Sequence, residues 1–265
     1  MKEGGLRTAG KKKKSSPQKP LISIVTVVFN NQRTIERAIR SVLSQSYRNV
    51  EYIIIDGAST DNTLSIIEQY QDRIDYYRSE EDSGIYDAMN KGLSLCTGDV
   101  IGILNSDDWY EADTAKIIAD AYQKDQDSVH YGICRHHDEK GPTLVATPLA
   151  ERLEDQMIAH ATVFVPKHMY EAYGIFDTQY DIAADYDMML RLYRKGKTFN
   201  IHYDVLANFE VGGTCHQNLS KSRDEIVEIK YRHSIITAKE KQKLRIKNKF
   251  RSMLSAMETS IKKFV

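Results

Sequence analysis

The stretch GDVIGILNSDDW, residues 98–109, brings two adjacent carboxylates to the end of an apolar run. Val100 to Leu104 reads as a short buried strand, and ligands of open α/β sheets gather beyond the carboxyl ends of such strands. Asn105, Asp107 and Asp108 follow at once. Neighbouring carboxylates repel each other and are costly to desolvate, so the pair asks for a cation. Hard oxygen donors suit magnesium or manganese, and such an ion could in turn hold a diphosphate. A solvated turn with an Asp helix cap is the competing reading.

A second acidic pair, Asp185 and Asp187, opens the segment AADYDMMLRLYRKG at 183–196. Both fall in the first turn of a helix, where the dipole favours carboxylates, so one can cap and the other balance the dipole. Alternatively Asp185 is a general base, which requires it to reach a substrate hydroxyl. His216, in the Gly-containing stretch VGGTCHQN at 211–218, could meet a ligand or metal on loop closure, or lie in a plain surface loop. His136 and His137 are adjacent, and neighbouring strand positions point to opposite faces, which favours a surface loop or hairpin tip over a metal site. His160 precedes a short strand and reads equally as site-facing or structural. Asp82, Asp87, Asn90 and Lys91 are polar candidates around a turn containing Gly84.

The elements that must hold these residues alternate. LISIVTVVFN, 21–30, is apolar or β-branched almost throughout, as a strand buried on both faces of a parallel sheet is. Ile35, Ala38, Ile39, Val42 and Leu43 then recur at helical spacing. A second cycle has strand 50–55, turn 56–61 and helix 63–70. A third has strand 74–78 and a helix whose apolar face is Ile85, Ala88, Met89, Gly92 and Leu93. Successive βα cycles predict right-handed crossovers and a mostly parallel sheet. Further expected elements are a helix at 113–124, strands at 129–133 and 162–165, a helix at 167–173, a strand at 205–211 and a charged helix at 224–234.

Charge is segregated although the net is zero. Residues 1–20 hold 7 basic and 1 acidic side chains, residues 239–265 hold 9 and 2, and the body between is strongly acidic. Such a body argues against nucleic-acid binding and suits metal binding. The first twenty residues have no apolar centre, so they read as a disordered basic segment rather than a secretory signal. The longest apolar stretches are strand-length, which predicts no transmembrane helix. Cys96, Cys134 and Cys215 are widely spaced and fit a reducing cytosol better than a disulfide framework. In the basic C-terminal stretch Ile246, Phe250, Met253, Leu254, Met257, Ile261 and Phe264 recur at three and four spacing. A helix of this kind can lie on an anionic membrane, pack on its own domain or pair with a second copy.

In order, LISIVTVVFN, IIIDGASTD, SEEDSGIYDAMNKG, GDVIGILNSDDW and AADYDMMLRL resemble the motifs of inverting family 2 glycosyltransferases, over residues 21 to about 215. The resemblance is closest to bacterial members that build capsule, lipopolysaccharide or exopolysaccharide. It implies a GT-A fold, a Rossmann-like mostly parallel central sheet flanked by helices, at 21–220, with a C-terminal basic amphipathic helical extension at 221–265. It implies a nucleoside-diphosphate sugar donor, with UDP expected, held by Val27, Phe29, Asp56, Asp82 and Asn105. Asp107, with Asp108 beside it, is then the ligand of Mn2+ or Mg2+, and Asp185 is the base that deprotonates a saccharide acceptor. Three positions depart from the family pattern: Gly57 where many relatives carry a second Asp, Asn105 at the head of the Asp-x-Asp motif, and Ala184 before the base. A cytoplasmic enzyme at the inner face of the membrane, using a polyprenyl-diphosphate-linked acceptor, fits the basic end. Two other readings compete. A sugar-nucleotide nucleotidyltransferase usually has a Gly-rich loop after the first strand, where this chain has Asn30-Asn31-Gln32-Arg33. A non-catalytic membrane-surface scaffold draws its support from the Asn105 and Ala184 departures.

Overall fold

Strand β2 (Ile22–Val28) is buried at all seven positions. Its side chains alternate between two cores: Ile22, Ile24 and Val28 enter one, Val25 and Val27 the other, as the period of two of a strand dictates. The two polar positions are satisfied internally, because Ser23 donates to Glu51 at 2.6 Å and the Tyr52 hydroxyl donates to Thr26 at 3.1 Å. The structure, a computed structural model, describes residues 1–138, 141–145, 147–210 and 218–262, and the side chains of 144–145 and 254–262 lie outside the description.

Parallel to β2 run β3 (Val50–Asp56) on one side and β5 (Val100–Asn105) on the other, and β4 (Tyr76–Ser79) is parallel to β3. Helices α1 (Ile35–Leu43), α2 (Thr63–Glu68) and α4 (Thr114–Lys124) pack on one face. Helices α3 (Ile85–Leu95), α5 (Lys167–Tyr173) and α6 (Ala184–Arg194) pack on the other. The sheet continues from β5 through the antiparallel β9 (Phe164–Pro166) to β7 (Ser128–Asp138), β10 (Thr198–Glu210) and β6 (Trp109–Tyr110), with the hairpin partner β8 (Gly141–Val145) on β7. Helices α7 (Leu219–Arg232) and α8 (Ala238–Lys262) form the C-terminal extension. No described helix is long and apolar enough to cross a membrane.

The sequence-based expectations place most of these elements, with three corrections. β7 and β10 are longer than read, because β10 pairs with β7 from Thr198 to Glu210 with register shifts after His202 and Val205. β6, only two residues long, carries no periodic signal. The first twenty residues are ordered: β1 (Lys2–Gly4) pairs with β4, Arg7 binds Glu51, and Lys13 binds Asp75 at 2.8 Å. Glu51 and Asp75 are each 2% exposed, so two buried carboxylates recruit cations from the N-terminal segment.

Burial alone would raise the Glu51 carboxyl, but hydrogen bonds from Ser23, Thr97 and Arg7 hold it below the ordinary range. The stabilisation from a lowered carboxyl is present above its unfolded value and lost as pH falls through the folded one. Arg7→Ala should therefore cost about 1–3 kcal/mol at neutral pH and progressively less in acid. Urea unfolding across pH checks this, and an equal loss at neutral and strongly acidic pH contradicts it.

Candidate active site

The parallel strands β2, β3 and β5 end side by side, and the loops that leave them are tied together by side chains. Asn30, with φ of 47°, accepts from the Thr60 amide at 2.7 Å. The Asn31 amide group donates to Ser106 at 2.8 Å, and the Thr34 hydroxyl donates to the Ser106 carbonyl at 2.8 Å. The loop Asn30-Asn31-Gln32-Arg33 is thus a bracket for the Asn105-to-Asp108 turn.

Two cavities adjoin at this edge. The larger, about 580 Å³, is lined by Val27, Phe29, Asp82, Asn105, Asp107 and Phe209 among others. Phe29 is 63% exposed there, an aromatic face open to a planar ring. The smaller, about 310 Å³, is lined by Asn105, Asp108, His136, His160, Asp185 and Phe209 among others. Asn105 and Phe209 belong to both, so they form the wall between.

Asp56 is fully buried, and its carboxylate accepts from the Ser59 amide and hydroxyl and, at 2.6 Å, from the Ser79 hydroxyl. It organises the turn that follows β3 and is not among the residues that line either cavity. Asp82 and Asp107 are the acids that the larger cavity presents. A Cβ at Gly57 would displace the Asp82 carboxylate from its present position.

The adjacent Asp107 and Asp108 diverge, one into each cavity. Burial and the charge of Glu210 raise the Asp107 carboxyl, with Arg37 offsetting part of the effect. Arg37 donates to the Asp107 carbonyl at 2.7 Å, pairs with Glu210 and lies 3.8 Å from the centre of the Trp109 ring. Burial, then the charge of Asp107, drives the Asp108 carboxyl well above the ordinary range. Asp108 Oδ2 and Asn105 Oδ1 are buried without a hydrogen-bond partner. Orphaned oxygen acceptors beside a half-buried carboxylate are the donor type that a hard divalent cation takes. No group of three His, Cys, Asp or Glu among the described residues is gathered tightly enough to hold an ion. His216, the other expected candidate, lies outside the described residues.

Asp185 occupies the first turn of α6 and lines the smaller cavity. Its Oδ1 accepts from the Tyr186 amide at 2.9 Å. The Tyr86 hydroxyl lies 2.9 Å from the same oxygen and 2.7 Å from the Ile182 carbonyl, so its single proton serves both. Burial raises the Asp185 carboxyl, against the opposing influence of His160, Tyr86 and the Tyr186 amide. Burial also lowers the His160 imidazole, and its Nε2 has no partner. A carboxyl of raised basicity and an imidazole of lowered basicity thus share one small cavity. Ala184, where relatives carry Glu, is fully buried in the apolar core.

Sequence reasoning missed the residues that hold Asp185 in place. Glu225 of α7 accepts from the Asp181, Ile182 and Ala183 amides at 3.0, 2.9 and 2.9 Å, which ties down the segment entering α6. His233, just after α7, binds Asp187 at 2.9 Å. Glu225→Gln should lower turnover with little change in donor KM, and cost about 1–3 kcal/mol of stability. Steady-state kinetics check the split, and a raised donor KM at unchanged turnover contradicts it. His137 proves to be a strand residue bonded to Asn208 at 2.8 Å and packed at a tilt against Trp109, whereas His136 faces the smaller cavity.

Residues 23–200 match the family model described as Glycosyl transferase family 2. A Mycobacterium tuberculosis protein named as an uncharacterized glycosyltransferase is 30% identical over 182 residues, which cover 65% of this chain and 68% of the relative. S. aureus TarS 1-349 in complex with UDP-GlcNAc superposes with a TM-score of 0.65 at 14% identity, covering 85% of this chain and 70% of that one. Against the full TarS chain, this protein spans 42% of the length. Mannosyltransferase PcManGT from Pyrobaculum calidifontis, in complex with GDP-Man and Mn2+, gives 0.65 at 20% identity, covering 88% and 70%. These likenesses agree with the GT-A architecture expected from the motifs, and the chain is a member of glycosyl transferase family 2.

Proposed function

We propose that this protein transfers a sugar, with inversion, from a nucleoside-diphosphate donor to a saccharide hydroxyl. The observation that carries the reading is the pair of adjoining cavities, with Asp107 in one and Asp185 in the other across the wall of Asn105 and Phe209. The larger cavity takes the nucleotide, its base against Phe29 and its ribose within reach of Asp82 and Asn105. UDP is the donor nucleotide in this reading, and the UDP-GlcNAc complex of TarS supports it. Asp107 would hold Mn2+ or Mg2+, with Asp108 turned into the neighbouring cavity behind it, and the manganese complex of PcManGT supports that assignment. When bound, the ion neutralises the diphosphate and makes it a better leaving group. Asp185 accepts the proton of the acceptor hydroxyl as its oxygen attacks the anomeric carbon, and the nucleoside diphosphate departs from the opposite face. Tyr86 and Glu225 keep that carboxylate in place.

The setting that fits is capsule, lipopolysaccharide or exopolysaccharide synthesis at the cytoplasmic face of a membrane, with a polyprenyl-diphosphate-linked acceptor. A scaffold without chemistry has no need of a buried, destabilised carboxylate at Asp185, which disfavours that alternative. For a nucleotidyltransferase, the bracket of Asn30 and Asn31 replaces the phosphate loop the chemistry needs. Incubation with UDP-sugars, manganese and saccharide acceptors, followed by NMR of the product, tests the reading. A product of inverted anomeric configuration is expected, and one of retained configuration overturns the role given to Asp185.

A further inference from the structure

Helix α8 packs with the wrong side inward for a helix that serves only its own domain. Polar bonds tie it to α7: Asn248, 6% exposed, donates to Asp224 at 2.9 Å, Lys241 and Arg245 pair with Glu228 at 2.7 and 3.0 Å, and Ser252 meets Ser220 at 2.7 Å. Ile246, Phe250 and Met253 are left 57%, 65% and 56% exposed. Their spacing of four and three places them on one stripe, turned away from Asn248. An ordinary surface helix buries its apolar stripe and turns the polar side to water, so three large apolar residues aligned in the open mark an interaction surface.

The charges around the stripe say what covers it. Residues 241–257 hold six Lys or Arg and no acid. At 3.6 residues per turn, Lys243 and Lys249 sit about 60° to either side of Ile246, with Lys247 beyond Lys243. All three are exposed. A second copy of the helix would oppose like charges across the contact, whereas an anionic lipid surface accepts both the apolar stripe and its cationic flanks. We infer that α8 docks the protein on anionic phospholipid, with Ile246, Phe250 and Met253 in the headgroup boundary and Lys243, Lys247 and Lys249 against lipid phosphates. The body at 21–238, with 21 basic and 34 acidic residues, is repelled by the same surface, so the docked molecule is oriented with its extension toward the bilayer. Through Glu225, the helix on which α8 rests also secures the segment leading to Asp185.

Flotation of the full chain with vesicles tests the inference independently of transfer, since it needs neither donor nor acceptor. Vesicles of phosphatidylglycerol and phosphatidylcholine should carry the protein at low salt and release it at high salt, and vesicles of phosphatidylcholine alone should not bind. The combined variant Ile246→Ser, Phe250→Ser, Met253→Ser keeps every contact with α7, so its circular dichroism should match the parent. Its partition onto anionic vesicles should fall about tenfold or more. Each of Lys243→Gln, Lys247→Gln and Lys249→Gln should cost roughly fivefold or less. Binding of the serine variant equal to the parent overturns the inference. So does a parent that ignores anionic vesicles and is dimeric by light scattering, with a monomeric serine variant, because the stripe then seats a second copy.

Discussion

Asp185→Asn should reduce turnover about 100- to 10,000-fold while leaving donor affinity unchanged, the range by which a positioned general base contributes. Asn keeps the shape and can still accept from Tyr86 and the Tyr186 amide, so the loss isolates proton transfer. In the parent, the base works only when ionised. Burial raises its carboxyl, so the acid limb of kcat/KM should lie above the usual carboxylate range, with activity rising as pH passes through it. The sign for stability is opposite. A carboxyl whose folded value is raised contributes stability below its unfolded value, about 3.9, and loses it as pH rises through the folded one. The ionised Asp185 is therefore a burden at neutral pH, and Asp185→Asn should melt no lower than the parent there. A variant that melts much lower and also loses donor binding would show that Asp185 is structural.

Asp107→Ala should lower kcat/KM for the donor at least about 100-fold in the presence of manganese, the upper end of what removing even an outer partner of a metal ligand costs. The substitution also relieves the repulsion that helps to raise Asp108, so the folded protein should not be less stable. Arg37, which partly offsets the raising of Asp107, remains paired with Glu210 and over the Trp109 ring. Manganese titration of the initial rate checks the assignment. An unchanged manganese requirement in Asp107→Ala contradicts it.

The parts of the fold legible in the sequence are those whose signal is local. β2, β3 and β5 read as strands because nearly every side chain is buried, and α3 shows its apolar face at helical spacing. The first half of β10 is half exposed and interrupted by register shifts, so its alternation is blurred. β1 has no apolar pattern and is held by pairing with β4, while the segment after it is tied down by buried Glu51 and Asp75, remote in sequence from the cations Arg7 and Lys13 that meet them. The site follows the same division. Position at a strand end marked Asn105, Asp107 and Asp108, but not that the two aspartates diverge into different cavities. Asp56 also ends a strand, and only the serines at 59 and 79 turn it inward. Tyr86 shares the helical face of Met89 and Leu93, which reads as core; its bond to Asp185 spans 99 residues. Glu225 is one acid in a charged helix, distinguished only by the three amides it meets.

The division of labour between the two cavities is tested most directly by calorimetric titration of UDP, in the presence of manganese, into the parent, Asp107→Ala and Asp185→Asn proteins. The account predicts manganese-dependent binding to the parent, the same affinity in Asp185→Asn, and a loss of about tenfold or more in Asp107→Ala. Equal binding by all three, or binding to the parent that ignores manganese, would contradict the assignment of the larger cavity and its aspartate to the donor diphosphate.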